Sequence, residues 1–162
     1  MGAPSRPTLK VEYRPDEASI HHVRLMVHSF VLLTTKDRAL AGRLTVTCAE
    51  LVEDAARRIS TVPCTLEIEL DVTGYACVQL TSEVIPALDT QLTRVVEEVN
   101  RSTPIEAYTR ALSQTAAGAE SLLSLARVRY EGQMTLTLRR AGSFFFFFYD
   151  FIINIILYMC FF

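Results

Sequence analysis

The chain has 162 residues, half of them hydrophobic, and a formal net charge of −2 from 16 basic and 18 acidic side chains. That length suits one compact domain, and the absence of a basic excess disfavours nucleic-acid binding. The four cysteines form no CxxC pair and no secretory leader pattern opens the chain, which argues against a disulfide framework or a zinc site and for buried thiols in a reducing cytoplasm.

Residues 1–7, MGAPSRP, are small, polar and Pro-containing, and read as a disordered N-terminus. TLKVEY (8–13) alternates as a strand does. Pro15 and Asp16 mark a turn, with Ser19 as the expected helix cap. Ile20, Val23, Val27, Phe30 and Val31 then recur at helical spacing over 20–33. TTKD interrupts, and Asp37 is placed to cap a second, longer helix over 38–60. Its apolar stripe is Leu40, Leu44, Cys48, Leu51, Ala55 and Ile59. Pro63 closes it.

CTLEIELDV (64–72) and YACVQLTS (75–82) read as two strands, joined through a gap short enough for a hairpin. Pro86 opens a helical stretch carrying Leu88, Leu92, Val95, Val96 and Val99. Thr103-Pro104 opens another, through Tyr108 and Leu112 and, after a break near Gly118, Leu122, Leu125 and Val128. QMTLTLRR (133–140) alternates again as a fourth strand. The order β-α-α-β-β-α-α-β predicts an α/β two-layer sandwich, with a mixed, mostly antiparallel sheet and helices on one face.

Residues 49–60, AELVEDAARRIS, carry the sharpest question. At about 100° per residue, Glu50 and Asp54 lie side by side just outside one edge of the apolar stripe. Carboxylates there can face a cleft or face water. The bland alternative is a solvated border, with Glu53 paired to Arg57 and Asp54 to Arg58 at i,i+4.

ELVEDA (50–55) resembles the N-box of the histidine-kinase-like ATPases, the group that includes bacterial anti-sigma serine kinases, where the usual pattern is E-L-x-x-N-A. The helices upstream, the strand pair 64–82 and SLARVRYEGQMTLTL (124–138) are also similar to that group, so the resemblance spans roughly 8–140. It implies a Bergerat-like domain over 8–142, with Glu50 at the position of the catalytic base and Asp54 at that of the magnesium ligand. It further implies ATP and magnesium as cofactors, with Gly118, Ser121 and Ser124 in the loop that would approach phosphate. Asp54 departs from the usual Asn, adding a negative charge where triphosphate would sit. The adenine box D-x-G-x-G has no counterpart in TSEVIPALDTQLT (81–93), and the second glycine box is reduced to Gly118 in GAESLLSLARV (118–128). Loss of those glycines removes the close backbone approach that phosphate needs. The expectation is a degenerate ATPase-fold regulatory or protein-interaction module of bacterial signalling, without ATP hydrolysis and with no resident cofactor. The alternative is an ATP-binding anti-sigma-type protein serine kinase. Either implies a regulatory protein partner (a sigma factor, an anti-anti-sigma factor or a kinase-like component), with a homodimer also compatible. In the first reading, helices 20–33 and 38–60 supply the partner surface.

His21, His22 and His28 lack the i,i+4 spacing of a helical ligand pair and read as surface histidines. Finally, composition changes abruptly at 143–162. Over 144–162 Phe, Tyr, Ile and Asn fill 15 of 19 positions, while the rest of the chain holds one of the nine Phe. As a helix the segment would extend about 28 Å, near the thickness of a bilayer core. Two readings stand: a membrane anchor holding a cytoplasmic domain, with Asp150 and Asn154 against it, or an extension foreign to the domain.

Overall fold

The computed structural model describes residues 6–59, 63–71, 75–83, 86–114, 120–141 and 144–151. In chain order the elements are β1 (Thr8–Tyr13), α1 (Glu17–Thr35), α2 (Arg38–Ile59), β2 (Cys64–Leu70), β3 (Ala76–Glu83), α3 (Pro86–Asn100), α4 (Pro104–Gln114), α5 (Glu120–Tyr130), β4 (Thr135–Ala141) and β5 (Phe144–Phe151).

Local chemistry sets the helix starts. Asp16 caps α1: its carboxylate accepts the Ser19 amide at 2.7 Å, while the Ser19 hydroxyl donates to the Arg14 carbonyl at 2.6 Å. The cap is therefore Asp16 and not the expected Ser19, because the aspartate sits three residues ahead of the amide that it satisfies. Asp37 accepts the Leu40 amide at 3.0 Å, as expected for α2. Thr103 and Glu106 form a reciprocal capping box at α4, with Thr103 N–H donating to Glu106 Oε2 at 2.9 Å. Lys36, at φ 61°, ends α1 in the left-handed conformation and returns its N–H to the Leu32 carbonyl.

All described strand pairings are antiparallel, in one five-stranded sheet of order β1-β2-β3-β5-β4. The hairpin of β2 and β3 sets Cys64 against Ser82 and Leu70 against Ala76. Along β2 burial alternates strictly, with Cys64, Leu66, Ile68 and Leu70 inward. The residues between them, Thr65, Glu67 and Glu69, are partly exposed on the other face. The inward face and the helices share one core, built from Val23, Val27 and Val31 of α1, Leu40, Leu44, Cys48 and Leu51 of α2, and Leu125 and Val128 of α5. This is the α/β sandwich with helices on one face. Each fully buried aliphatic side chain stabilises it by about 1.5–3 kcal/mol.

Two expectations need correction. The helical pattern from 104 to 128 is two helices, α4 and α5, and the buried face of α4 is Ala107 and Ala111, with Leu112 about half exposed. Small residues there let α4 and α5 approach closely. The second concerns the tail. Residues 144–151 form a strand that pairs with β3 on one side and β4 on the other, rather than the first turns of a spanning helix. An unbroken run of β-prone aromatics suits a strand with neighbours on both sides. No helix among the described residues is long and apolar enough to cross a membrane. The rest of the expected anchor or extension, 152–162, lies outside the described residues.

Candidate functional site on the second helix

On α2 the residues Thr47, Glu50, Asp54 and Arg58 follow one another at spacings of three and four, forming a polar stripe on one helix face. Thr47, Glu50 and Asp54 are all buried, with Glu50 7 % and Asp54 4 % exposed. They are not a solvated border. The cover is α5, which packs against both α2 and α4 and buries Leu122, Leu125, Ala126 and Val128.

Buried charges require partners, and arginines supply them. Glu50 Oε1 accepts from Arg127 Nη1 of α5 at 2.5 Å. Arg127 also lies 3.5 Å from Glu131. Its hydrogen bond to Glu50 raises the Arg127 pKa above its already high ordinary value. Asp54 Oδ2 accepts from Arg58 Nε at 2.7 Å, with both side chains less than a tenth exposed. Arg57 donates to the Ser124 hydroxyl on α5 at 2.5 Å. The expected pair Asp54–Arg58 thus forms, but inside the protein. The expected Glu53–Arg57 pair does not appear among the described contacts: Glu53 instead accepts from Arg24 of α1 at 3.0 Å, and Arg57 turns to α5.

Two further contacts lock α5 and the turn at its end. A Cβ placed on Gly132 would collide with Thr47 Oγ1 and with the Val128 carbonyl, so only glycine fits between α2 and the end of α5. Tyr108 of α4 stacks on Tyr130 of α5, with ring centroids 5.0 Å apart and planes 14° from parallel.

Of the sequence-derived site residues, Glu50, Asp54 and Ser124 gather in the same α2–α5 seam. Ser121 lies in the first turn of α5, and Gly118 lies outside the described residues. Arg127, Arg57 and Arg58 complete the constellation. Ser124 and Arg127 are three apart and so share a helix face, but only the pairing of α5 with α2 brings that face to Glu50. A general base must reach the proton it removes within hydrogen-bond distance. Here Arg127 occupies one carboxylate oxygen of Glu50. Arg58 likewise occupies one carboxylate oxygen of Asp54. As arranged, Glu50 and Asp54 belong to an internal ion-pair seam between α2 and α5.

The thiols lie elsewhere. Cys48 and Cys64 are buried and Cys77 is partly exposed; burial pushes Cys64 up to about 11. All three histidines are exposed on α1.

No family model matches this chain, and no curated protein does. Among solved structures it is similar to a chain in the crystal structure of the SiaB–SiaC complex from Pseudomonas aeruginosa. That likeness has a TM-score of 0.67 and 14% sequence identity, and covers 91% of this chain and 92% of that chain. At such identity the likeness carries the fold alone.

Proposed function

We propose that the chain is a regulatory protein-interaction module of bacterial signalling, built on an ATPase-like fold and working without ATP hydrolysis. The observation that carries this reading is the Glu50–Arg127 ion pair, which ties the would-be catalytic carboxylate to α5. A carboxylate held by a guanidinium and largely covered by a packed helix is poorly placed to serve as a base. Asp54, committed to Arg58, follows the same logic. The fold-level likeness to a chain found in a two-protein complex supports a protein partner. The partner would be a regulatory protein of the sigma-factor, anti-anti-sigma or kinase-like class, met in the cytoplasm.

Of the two helices expected to supply the partner surface, α1 offers the larger exposed apolar area. The middle of α2 is buried almost all round, and Val46 is its one large apolar side chain described as exposed. On α1, Leu25, Met26 and Leu33 are exposed, at 55%, 39% and 70%. This face of α1 is the proposed partner-binding surface.

Calorimetry with ATP and magnesium tests the reading. The expected result is no saturable heat, for the native chain and equally for Asp54→Asn, which restores the usual N-box residue but leaves Arg127 on Glu50. A micromolar affinity abolished by Glu50→Ala and by Asp54→Ala would reject the pseudo-enzyme and leave the anti-sigma-type kinase standing.

A further inference from the structure

Glu53 and Arg57 lie one turn apart on α2, with the carboxylate four residues N-terminal to the guanidinium. That order is the favourable one for an i,i+4 ion pair. One residue further on, Asp54 and Arg58 have the same spacing and do pair, at 2.7 Å. Glu53 and Arg57 are instead drawn to different helices. Glu53 accepts from Arg24 of α1 at 3.0 Å, and Arg57 donates to the Ser124 hydroxyl of α5 at 2.5 Å.

Both α1 and α5 pack on α2, and each diverted contact reaches a place with a task. Arg24 belongs to the helix that exposes Leu25, Met26 and Leu33. Ser124 is three residues before Arg127 and so shares the α5 face that covers Glu50. A guanidinium drawn back along α2 to Glu53 leaves Ser124, whose hydroxyl then sits without its donor in a residue only 5% exposed. A buried polar group stripped of its partner favours displacement of the helix that carries it. The pair that prevents this exchange is a weak one. Arg24 and Glu53 have side chains 51% and 29% exposed, and ion pairs so open to water contribute little. The two arrangements are therefore close in free energy, and a small change at α1 moves the balance between them.

We propose that Glu53 and Arg57 form an exchange switch that couples the partner surface on α1 to the grip of α5 over Glu50. The inference rests on the reading of α1 as the partner surface and adds what engagement there does to the seam. With Arg24 on Glu53, Arg57 holds Ser124 and α5 is clamped. When a carboxylate of the partner draws Arg24 away, Glu53 takes Arg57, Ser124 loses its donor, and α5 loosens beside Arg127.

Amide hydrogen exchange of the full chain measures this coupling without the partner, with Arg24→Met standing for an arginine drawn away. That variant is expected to speed exchange at Leu125 and Ala126 of α5 about threefold, while Leu66 and Ile68 of β2 keep their native rates. Adding Glu53→Ala removes the group that captures Arg57 and is expected to return the α5 amides to the native rate. Simple damage to the packing would add to the first effect instead of cancelling it. Arg57→Met is expected to speed the same α5 amides by itself and to leave Arg24→Met with no further effect. The inference is overturned if Arg24→Met leaves α5 untouched or speeds β2 equally. It is also overturned if Glu53→Ala fails to restore the native rate, or if Arg24→Met still acts on top of Arg57→Met. Failure here leaves the reading of the chain as an interaction module in place, whereas ATP binding at Glu50 would strike that reading and leave these exchange rates as they are.

Discussion

Glu50 and Arg127 are 77 residues apart in sequence and 2.5 Å apart in space. The contact joins α2 to α5 across the side of the helix that the resemblance assigns to nucleotide. Glu50 is the more deeply buried partner, with its side chain 9% exposed against 32% for Arg127. Removing the arginine leaves an uncompensated carboxylate behind. For fully buried pairs that costs about 3–5 kcal/mol, and partial exposure of Arg127 brings the expected loss for Arg127→Ala nearer 2 kcal/mol. Glu50→Gln keeps an acceptor for Arg127 and is expected to lose about 1 kcal/mol. Urea unfolding of both variants and of the double variant gives the coupling energy directly. Additive losses would mean that the pair contributes nothing beyond its separate members.

Gly132 is the tightest spot in the same seam. An added methyl meets the Thr47 hydroxyl and the Val128 carbonyl at once. The carbonyl belongs to the backbone of α5 and cannot turn aside. Gly132→Ala is therefore expected to cost about 1–3 kcal/mol, the usual range for overpacking. Adding Thr47→Ala relieves one collision and leaves the other, so the pair of substitutions recovers stability only in part. Full recovery in thermal unfolding would show that Val128 shifts freely and that the seam is looser than its geometry.

Much of this fold is legible in the residues. The stripe Leu40, Leu44, Cys48, Leu51 and Ala55 is buried as its spacing requires, and the hairpin of β2 and β3 follows from two alternating runs across a short gap. The seam is less legible. A carboxylate at the edge of an apolar stripe looks the same whether water or another helix lies beside it. The ion pair that covers Glu50 depends on α5, which arrives some seventy residues later, and helix periodicity carries no information about which helices meet. Arg57, Arg58 and Arg127 are ordinary helix residues until their partners are known. The aromatic run at 144–148 is hard to read for a different reason. The 19-residue segment that it opens, 144–162, has the length and hydropathy of a membrane helix, while the register of 144–148 against β3 and β4 is set by strands up to seventy residues away.

The exposed caps give the chain a direction of acid sensitivity. The hydrogen bond from the Ser19 backbone amide holds the Asp16 carboxyl below its usual range, and those from the Thr103 amide and hydroxyl do the same for Glu106. A depressed pKa means that the folded state favours the charged form. The stabilisation is fully present above the ordinary carboxylate range and is lost as pH falls through the lowered values. From about pH 4 downward the first turns of α1 and α4 are expected to fray before the core does. Proton exchange of the Ser19 and Glu106 amides, followed against pH, reads this locally. Asp16→Asn keeps the cap without the charge and should flatten the response at α1 while that at α4 persists. Equal acid sensitivity in Asp16→Asn and the native chain would assign the effect to some other group.

The strand at 144–151 carries the last prediction. It lies between β3 and β4, with Val78 opposite Tyr149 and Leu80 opposite Phe147 on one side, and Leu138 opposite Phe147 on the other. Removing it strips hydrogen-bond partners from both neighbours and leaves β3 as an open sheet edge. It also detaches β4, which pairs within this sheet through β5. A chain ending at residue 143 is expected to lose its cooperative unfolding transition, because β4 comes directly after α5 and helps to hold it over Glu50. A chain ending at 151 keeps every described strand and is expected to retain that transition. Unfolding followed by circular dichroism compares the two. If the chain ending at 143 unfolds as cooperatively as the full chain, residues 144–151 are dispensable to the domain. The sheet that supports the Glu50 seam would then need only the four strands before them.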